Sequence, residues 1–514
     1  MTSAPLLRTQ GSYTRRSGEL LFGGSPWGLA RLSAPARSWA HRVLRPGAGP
    51  VVPADEVERA TARLLVDRGL ALPVLPPRAP RPGEVEVVVP VHGSAEPLAR
   101  FLTALGTADP GGADPGGAPR VTVVDDGSAA PEAREIARVC AAHGVRLVVL
   151  PQNLGPGGAR NAGLAATTAG LVAFLDADTV PTRTWLDLLV PHFDDPLVAA
   201  VAPRVRGTVT GPGPGSVLER FEARRGGLDL GPHARRVAPG GQIGYVPTAA
   251  LLVRRAALPD PPFEPGLRVG EDVDLVWRLV DAGWSIRYLP AAEVHHEVRS
   301  GLPAWARRHA AYGSSAVPLE RRHPGRLAPA TLGWPGLTLL AGAAVAAAGG
   351  AGFRAAGAGL AAAGAAVQIG ASVRRLRGRG LPVSAGVEIA VLGLRSEVTA
   401  VGHALRREWW PLGAAALVLA TAPVPRVRSV ARAAVVLGLL PTVPDTARAA
   451  RHHWRSLWGA TPRRSDGGAP LDPVRHLALR LGADAAYGTG VIGAAVRSRC
   501  LGVLAPRYRG RARG

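Results

Sequence analysis

The stretch LVAFLDAD, residues 171–178, is a short apolar run closed by two carboxylates, Asp176 and Asp178, one residue apart. An apolar segment of this length reads as a strand buried on both faces of a parallel sheet. Two acids at the mouth of such a strand repel each other and lose hydration, so they call for a cation, most simply a divalent metal shared with phosphate. The stretch therefore reads as a metal and nucleotide seat.

Working outward, strands are expected at 84–91, 121–126 and 145–150, with helices at 96–105, 131–143 and 158–166. This alternation predicts a parallel sheet with crossover helices, in which ligands sit beyond the carboxyl ends of the strands. Three such ends carry chemistry: Pro90-Val91-His92, Asp125-Asp126-Gly127-Ser128 and Asp176-Ala177-Asp178. Beyond them the pattern weakens over 203–240, with a GPGPG loop at 211–215 and a short helix at 216–225. A strand is expected over 244–255. A helix follows over 270–284, opened by Glu271 and Asp272 and closed by Gly283, and then a strand leads to His295-His296.

A chain of 514 residues holds two or three domains. We divide it into an N-terminal module and Pro-rich linker (1–82), an α/β domain (83–325), an apolar helical region (326–450) and an Arg-rich tail (451–514). The net charge is +23 and there is no Lys; from Arg326 onward 25 Arg face 7 acids, so most of the excess lies in the last third. The Arg, Ala, Gly and Pro excess fits coding bias toward GC-rich codons. The basic region also contains uncharged runs at 327–353 and 355–373, each long enough to span a bilayer. That combination favours an anionic membrane over nucleic acid. Arginines flank both sides of the pair, so the positive-inside rule predicts a hairpin with both ends, and the α/β domain, on the cytoplasmic side. A buried Ala-rich hairpin in a soluble protein is the alternative. A weaker pair follows at 409–425 and 433–444. Two cysteines, Cys140 and Cys500, make neither a disulfide framework nor a zinc cluster, and the first thirty residues lack the apolar core of a secretory signal. In the module, GGSPWGLARL (23–32) reads as a turn into a strand, and 54–69 as a helix with Asp55 at its start and Gly69 at its stop.

The order of motifs is a first strand, an acid pair, NLGPGGARNAG (153–163), a strand ending DAD, and GED (270–272) at a helix start. Over 84–325 it resembles family 2 glycosyltransferases of the GT-A fold. The resemblance implies a nucleotide-sugar site at Pro90, Asp125, Asp126, Asn153, Gly155, Arg160 and Asp176, with Asp126 on uracil and ribose and Arg160 near the diphosphate. It implies Mg2+ or Mn2+ on Asp178, with His295 completing the metal site, Asp272 as catalytic base and Glu271 supporting it. Each residue also has a plainer reading. Asp125 and Asp126 could bond their own turn, Arg160 could sit on a helix surface, and Glu271 and Asp272 could simply answer the helix dipole.

The motifs GGSPWGLARLSAP, DRGLALP, GPGGARNAGLAA, HFDDPLVAAVAPRV, LRVGEDVDLVWRLVDAGW and RRHAAYGSSAVPLERRHPG resemble the mycofactocin glycosyltransferases. That implies transfer of glucose, from UDP-glucose, onto a peptide-derived redox cofactor, extended to a short glucan at the cell membrane. It also makes residues 20–80 a candidate peptide-recognition winged helix. The Gln-x-x-Arg-Trp helix of processive synthases is missing from 305–313, which disfavours long-chain export. Two other readings compete: transfer to a lipid or polysaccharide acceptor, and a non-catalytic membrane-bound nucleotide-sugar sensor.

Overall fold

The structure is a computed structural model that describes residues 4–9, 14–106, 119–209, 215–298, 301–457 and 471–509. It divides into two compact units, Met1–Pro212 with Glu222–Val298, and Gly213–Phe221 with Arg299–Gly514. The division falls some 27 residues before the boundary expected at 326, because the helices Leu302–Ser314 and Ala316–Arg322 belong to the second unit.

The first unit is built on a sheet of nine strands among the described residues. Arg146–Val149, Arg120–Asp125, Val85–Val91 and Leu171–Leu175 lie parallel in that spatial order, as the alternation predicts. Beyond Leu171–Leu175 the sheet departs from the expected all-parallel form. Ala250–Arg254 inserts antiparallel between Leu171–Leu175 and Val198–Thr208, and Ser285–Glu297 then runs parallel to Val198–Thr208. Strand alternation alone assigns no direction to a strand reached through a long connection, and between Thr208 and Ala250 the described residues hold only the helix Val217–Arg225 and the short strand Arg235–Val237 as regular elements of three residues or more. Every residue of Leu171–Leu175 is buried, as are Val87, Val89, Val123 and Leu252 in the same core.

The helix Gly155–Ala165 packs on this sheet through its small residues. A Cβ at Gly163 would overlap Val88 Cγ1 and come within 2.9 Å of Val124 Cγ2, so the GARNAG segment sets how closely helix and sheet approach.

The N-terminal segment forms a small three-stranded antiparallel sheet, Thr14–Ser17, Leu20–Gly23 and Gly28–Arg31, followed by helices Ala34–Leu44 and Glu56–Asp67. Asp55 caps the second helix by accepting from the Glu58 N–H, at 2.7 Å. Trp39, Leu44, Leu65 and Leu70 close a core of its own. Buried ionic contacts tie this module to the main sheet: Asp195 accepts from Arg63 at 3.1 Å and from Arg287 at 2.6 Å. The Pro-rich linker is pinned as well, with Arg78 donating to Glu84 and its backbone N–H to the Asp187 carbonyl.

The second unit is helical and corrects one expectation. The uncharged run at 327–353 is not one spanning helix. Its helix, Trp334–Ala347, has 14 residues, about 21 Å against a hydrocarbon core of about 30 Å. It stops before Gly349 (φ +146°) and Gly350. Ala351–Arg377, 27 residues long, is long and apolar enough to cross a membrane, and so is Pro425–Trp454. Trp334–Ala347 and Ala351–Arg377 still pair as a hairpin, in contact through Gly342, Gly357 and Gly364. Within the Arg-rich tail, Pro473–Arg497 is a 25-residue helix laid against Leu302–Ser314. Gly313 and Gly490 let the two backbones meet; an added Cβ at either would strike a carbonyl.

Candidate active site

The chain turns directly after Leu175. The Asp176 carbonyl accepts from both the Thr179 N–H (3.1 Å) and the Thr179 hydroxyl (2.7 Å), which throws Asp176 and Asp178 out of the strand at its carboxyl end. Thr179–Pro181 then pairs antiparallel with Ser285–Glu297, Thr179 opposite His296 and Val180 opposite His295. This register sets His296 Nε2 3.4 Å from Asp178 Oδ2. The imidazole beside Asp178 is therefore that of His296, where sequence position pointed to His295. Neighbouring residues of a strand face opposite sides of the sheet, so a one-residue offset decides which histidine arrives. His295 Nδ1 is buried without a hydrogen-bond partner.

Arg160 is the hub of the site. It is 3% exposed, which removes the helix-surface reading, and it bridges two carboxylates: Nη2 donates to Asp176 Oδ1 at 2.6 Å and Nη1 to Glu271 Oε1 at 2.8 Å. Its guanidinium also lies 5.7 Å from the centre of the Phe263 ring. The sequence reading aimed Arg160 at a diphosphate, whereas here two of its five donors are committed to protein carboxylates and its Nε has no partner.

Glu271 and Asp272 open the helix Glu271–Asp281, and Gly270 at φ +83° makes the entry a β-branched or bulky residue would resist. Burial holds the Asp272 carboxyl up to about 7, reinforced by the charge of Glu271 beside it. Its Oδ1 accepts from the Val273 N–H at 2.8 Å, which pulls the other way but less. Burial also raises Glu271, outweighing its bond to Arg160. Three carboxylates, Asp176, Glu271 and Asp272, thus act on one guanidinium, and the negative excess is what a cation or a proton would relieve. A carboxyl whose pKa is raised to about 7 is suited to accept a proton from a hydroxyl.

The nucleotide side is more tightly knit than expected. Asp126 spends both oxygens on backbone N–H groups, Oδ1 on Leu154 (2.7 Å) and Oδ2 on Gly155 (2.9 Å), at the start of the helix Gly155–Ala165. Asp125 makes the turn bond to the Ser128 N–H at 3.0 Å, while its Oδ2 is buried and unsatisfied. Asn153 accepts from Arg268 through its side-chain and backbone oxygens. Gly155 has φ +80°, and Pro90 lies in the first strand opposite Val124.

Sequence reasoning missed Asn161 and Phe263. Asn161 clamps the backbone of Phe263 in both directions, donating to its carbonyl (2.8 Å) and accepting from its N–H (3.0 Å). The Phe263 ring meets Phe174 edge to face at 5.3 Å, and Gly157 leaves room for it. An Asn inside a helix disfavours the helix by itself, and that was the available signal.

A family profile described as glycosyl transferase family 2 matches residues 86–258. Across 495 residues the chain is 37% identical to the pre-mycofactocin glycosyltransferase of Mycobacterium tuberculosis, covering 96% of this chain and 95% of that one. It is 29% identical over 208 residues to glycosyltransferase AglE of Haloferax volcanii, 40% of this chain and 64% of that one. Among solved structures, the mannosyltransferase PcManGT from Pyrobaculum calidifontis, in complex with GDP-Man and Mn2+, aligns with 72% of this chain and 90% of that one at 18% identity and a TM-score of 0.36. The sheet and its marked strand ends define a GT-A glycosyltransferase. The chain belongs to glycosyltransferase family 2, within the family of the pre-mycofactocin glycosyltransferases.

Proposed function

We propose that the chain is an inverting hexosyltransferase that moves glucose from UDP-glucose onto the peptide-derived precursor of mycofactocin and extends it to a short glucan. The acceptor rests on 37% identity sustained over nearly the whole of both chains. The observation that carries the chemistry is Asp272, a carboxyl raised to about 7 at the start of a helix that Arg160 ties to the DAD turn.

Asp272 accepts the proton of the attacking acceptor hydroxyl, whose oxygen bonds to the anomeric carbon as the bond to the nucleoside diphosphate breaks. Glu271, fixed by Arg160, keeps the base from relaxing away from the crevice and keeps its pKa high enough to hold a proton near neutral pH. Asp176 offers its second oxygen, on a side chain one-third exposed, to the donor. Asp126 holds the N-terminus of the helix Gly155–Ala165, and Asn153 with Arg268 closes the wall beside it.

The donor set fits a divalent metal shared with substrate. Asp178 and His296 supply one oxygen and one nitrogen close together, and among the described residues no three such side chains form a closed cage. Mg2+ and Mn2+ are bound in this way, by one or two protein ligands with phosphate oxygens and water. Such an ion neutralises charge on the departing diphosphate. We assign Asp178 and His296 as its ligands, with the unsatisfied Nδ1 of His295 as the alternative imidazole.

The helices Ala351–Arg377 and Pro425–Trp454 support a membrane location for the enzyme and keep a lipid acceptor as the second reading; the cytoplasmic side for the catalytic unit rests on the arginines that flank 327–373 in the sequence. The stereochemistry of the product tests the mechanism. An α-linked donor should give a β-linked hexose by proton NMR; a product with the α-linkage retained would rule out single displacement by Asp272.

A further inference from the structure

Within the second unit lies a cavity of about 230 Å³ lined by Arg326, His403, Arg407, Glu408 and Tyr487, none of them in the two helices able to cross a membrane. We infer that this cavity binds a phosphate group, with Arg407 as the central contact. Three observations lead there.

First, Arg407 is held in place, but its ion pair is a loose one. Its guanidinium lies 3.9 Å from the centre of the Tyr487 ring, its Nε is buried with no hydrogen-bond partner, and the nearest carboxylate, Glu408, is 3.7 Å away, beyond hydrogen-bond reach. Tyr487 engages the guanidinium by stacking and by a side-chain hydrogen bond, and the Nε edge that has no partner is the part that suits an oxyanion.

Second, the other nearby carboxylate is already committed. Asp484 is buried and accepts from Arg406 at 2.7 Å, with Arg480 at 3.7 Å, so it is committed to those two cations and offsets only one of their charges. Of the groups lining the cavity, Arg326 and Arg407 then outnumber Glu408.

Third, His403 is set as a donor. Its Nδ1 is 2.7 Å from Arg406 Nη2, and because a guanidinium only donates, Nδ1 accepts and the neutral ring carries its proton on Nε2. The residues lining the cavity therefore carry guanidinium, imidazole N–H and phenol groups, a donor set matched to phosphate, around a space large enough for one such group and some water. A free phosphate and the phosphate of a lipid headgroup share this chemistry.

The test is the thermal stability of the full-length protein with two probes. One arm adds inorganic phosphate to detergent-solubilised protein, with chloride at matched ionic strength as the control. The other compares phosphatidylcholine nanodiscs with and without phosphatidic acid. A probe near tenfold saturation should raise Tm by about 2–3 °C, and the responding arm identifies the source. The shift should vanish in Arg407→Gln, shrink in Arg326→Gln, and persist in Asp178→Asn, which alters only the catalytic unit. If Arg407→Gln fails to fold, Arg326→Gln decides. No shift in either arm, a shift unchanged by the arginine variants, or a shift lost only in Asp178→Asn would overturn the assignment.

Discussion

Replacing Asp272 with Asn should stabilise the protein while stopping transfer. Folding raises the Asp272 carboxyl from an ordinary 3.8 to about 7, chiefly through burial. A raised carboxyl pKa means the unfolded chain ionises first. As pH climbs from about 4 to about 7 the unfolded state gains a favourable ionisation that the folded state lacks, and stability falls; above that window the loss is complete. Three units correspond to about 4 kcal/mol, an upper bound because Glu271 shares the effect, so about 1–3 kcal/mol is the working expectation. Asn keeps an oxygen for the Val273 N–H and carries no charge to bury. The assay is Tm from pH 4 to pH 8 for both proteins, with turnover measured in parallel. Tm values should nearly coincide at pH 4, with the variant a few degrees higher at pH 8, and kcat should fall about 100-fold or more. A variant less stable than the parent at pH 8, or one retaining a tenth of the parent's kcat, would refute the reasoning.

In the unaltered enzyme kcat/KM should decline toward acid with an inflection near 7, as Asp272 takes up its proton; a profile flat from pH 5 to 8 would exclude it as the base. Arg160→Gln should destabilise by about 3–5 kcal/mol in chemical denaturation, because Asp176 and Glu271 lose their shared cation, and Glu271→Gln added to it should recover part of that loss. Chelation with EDTA should abolish transfer, and Mn2+ should restore it at a higher metal concentration in His296→Ala than in His295→Ala; equal effects of the two would return the choice to His295. Gly163→Val should lose about 1–3 kcal/mol or more through overlap with Val88 and Val124, readable as a lower Tm with the nucleotide affinity of the surviving fold unchanged.

The residues themselves carried the parallel half of the sheet, the DAD turn and the acid-opened helix, because apolar runs and glycine stops are local signals. What they left open was decided by contacts between distant segments. Arg160 looks the same in sequence whether it lies on a surface or, as found, between Asp176 and Glu271, 16 and 111 residues away. The choice between His295 and His296 turns on the register of Thr179–Pro181, which no local pattern specifies. Asp126 reads as a nucleotide contact from its place after a strand, yet its carboxylate serves the backbone of Leu154 and Gly155. In the second unit, hydropathy read 327–353 as one segment, while the glycines at 349 and 350 end the helix and shorten it below a span.

Hexosyl transfer from a nucleotide sugar to a peptide-derived acceptor can be read directly from its products. Purified full-length protein with Mn2+ should be offered UDP- and GDP-sugars, each with the mycofactocin precursor, with a polyprenyl phosphate and without acceptor, and the products read by mass spectrometry. Hexose additions to the precursor are expected, in a short ladder, with UDP-glucose as donor and with UDP released in equal amount. Hexose on the lipid phosphate and none on the precursor, or no product from any donor, would contradict it.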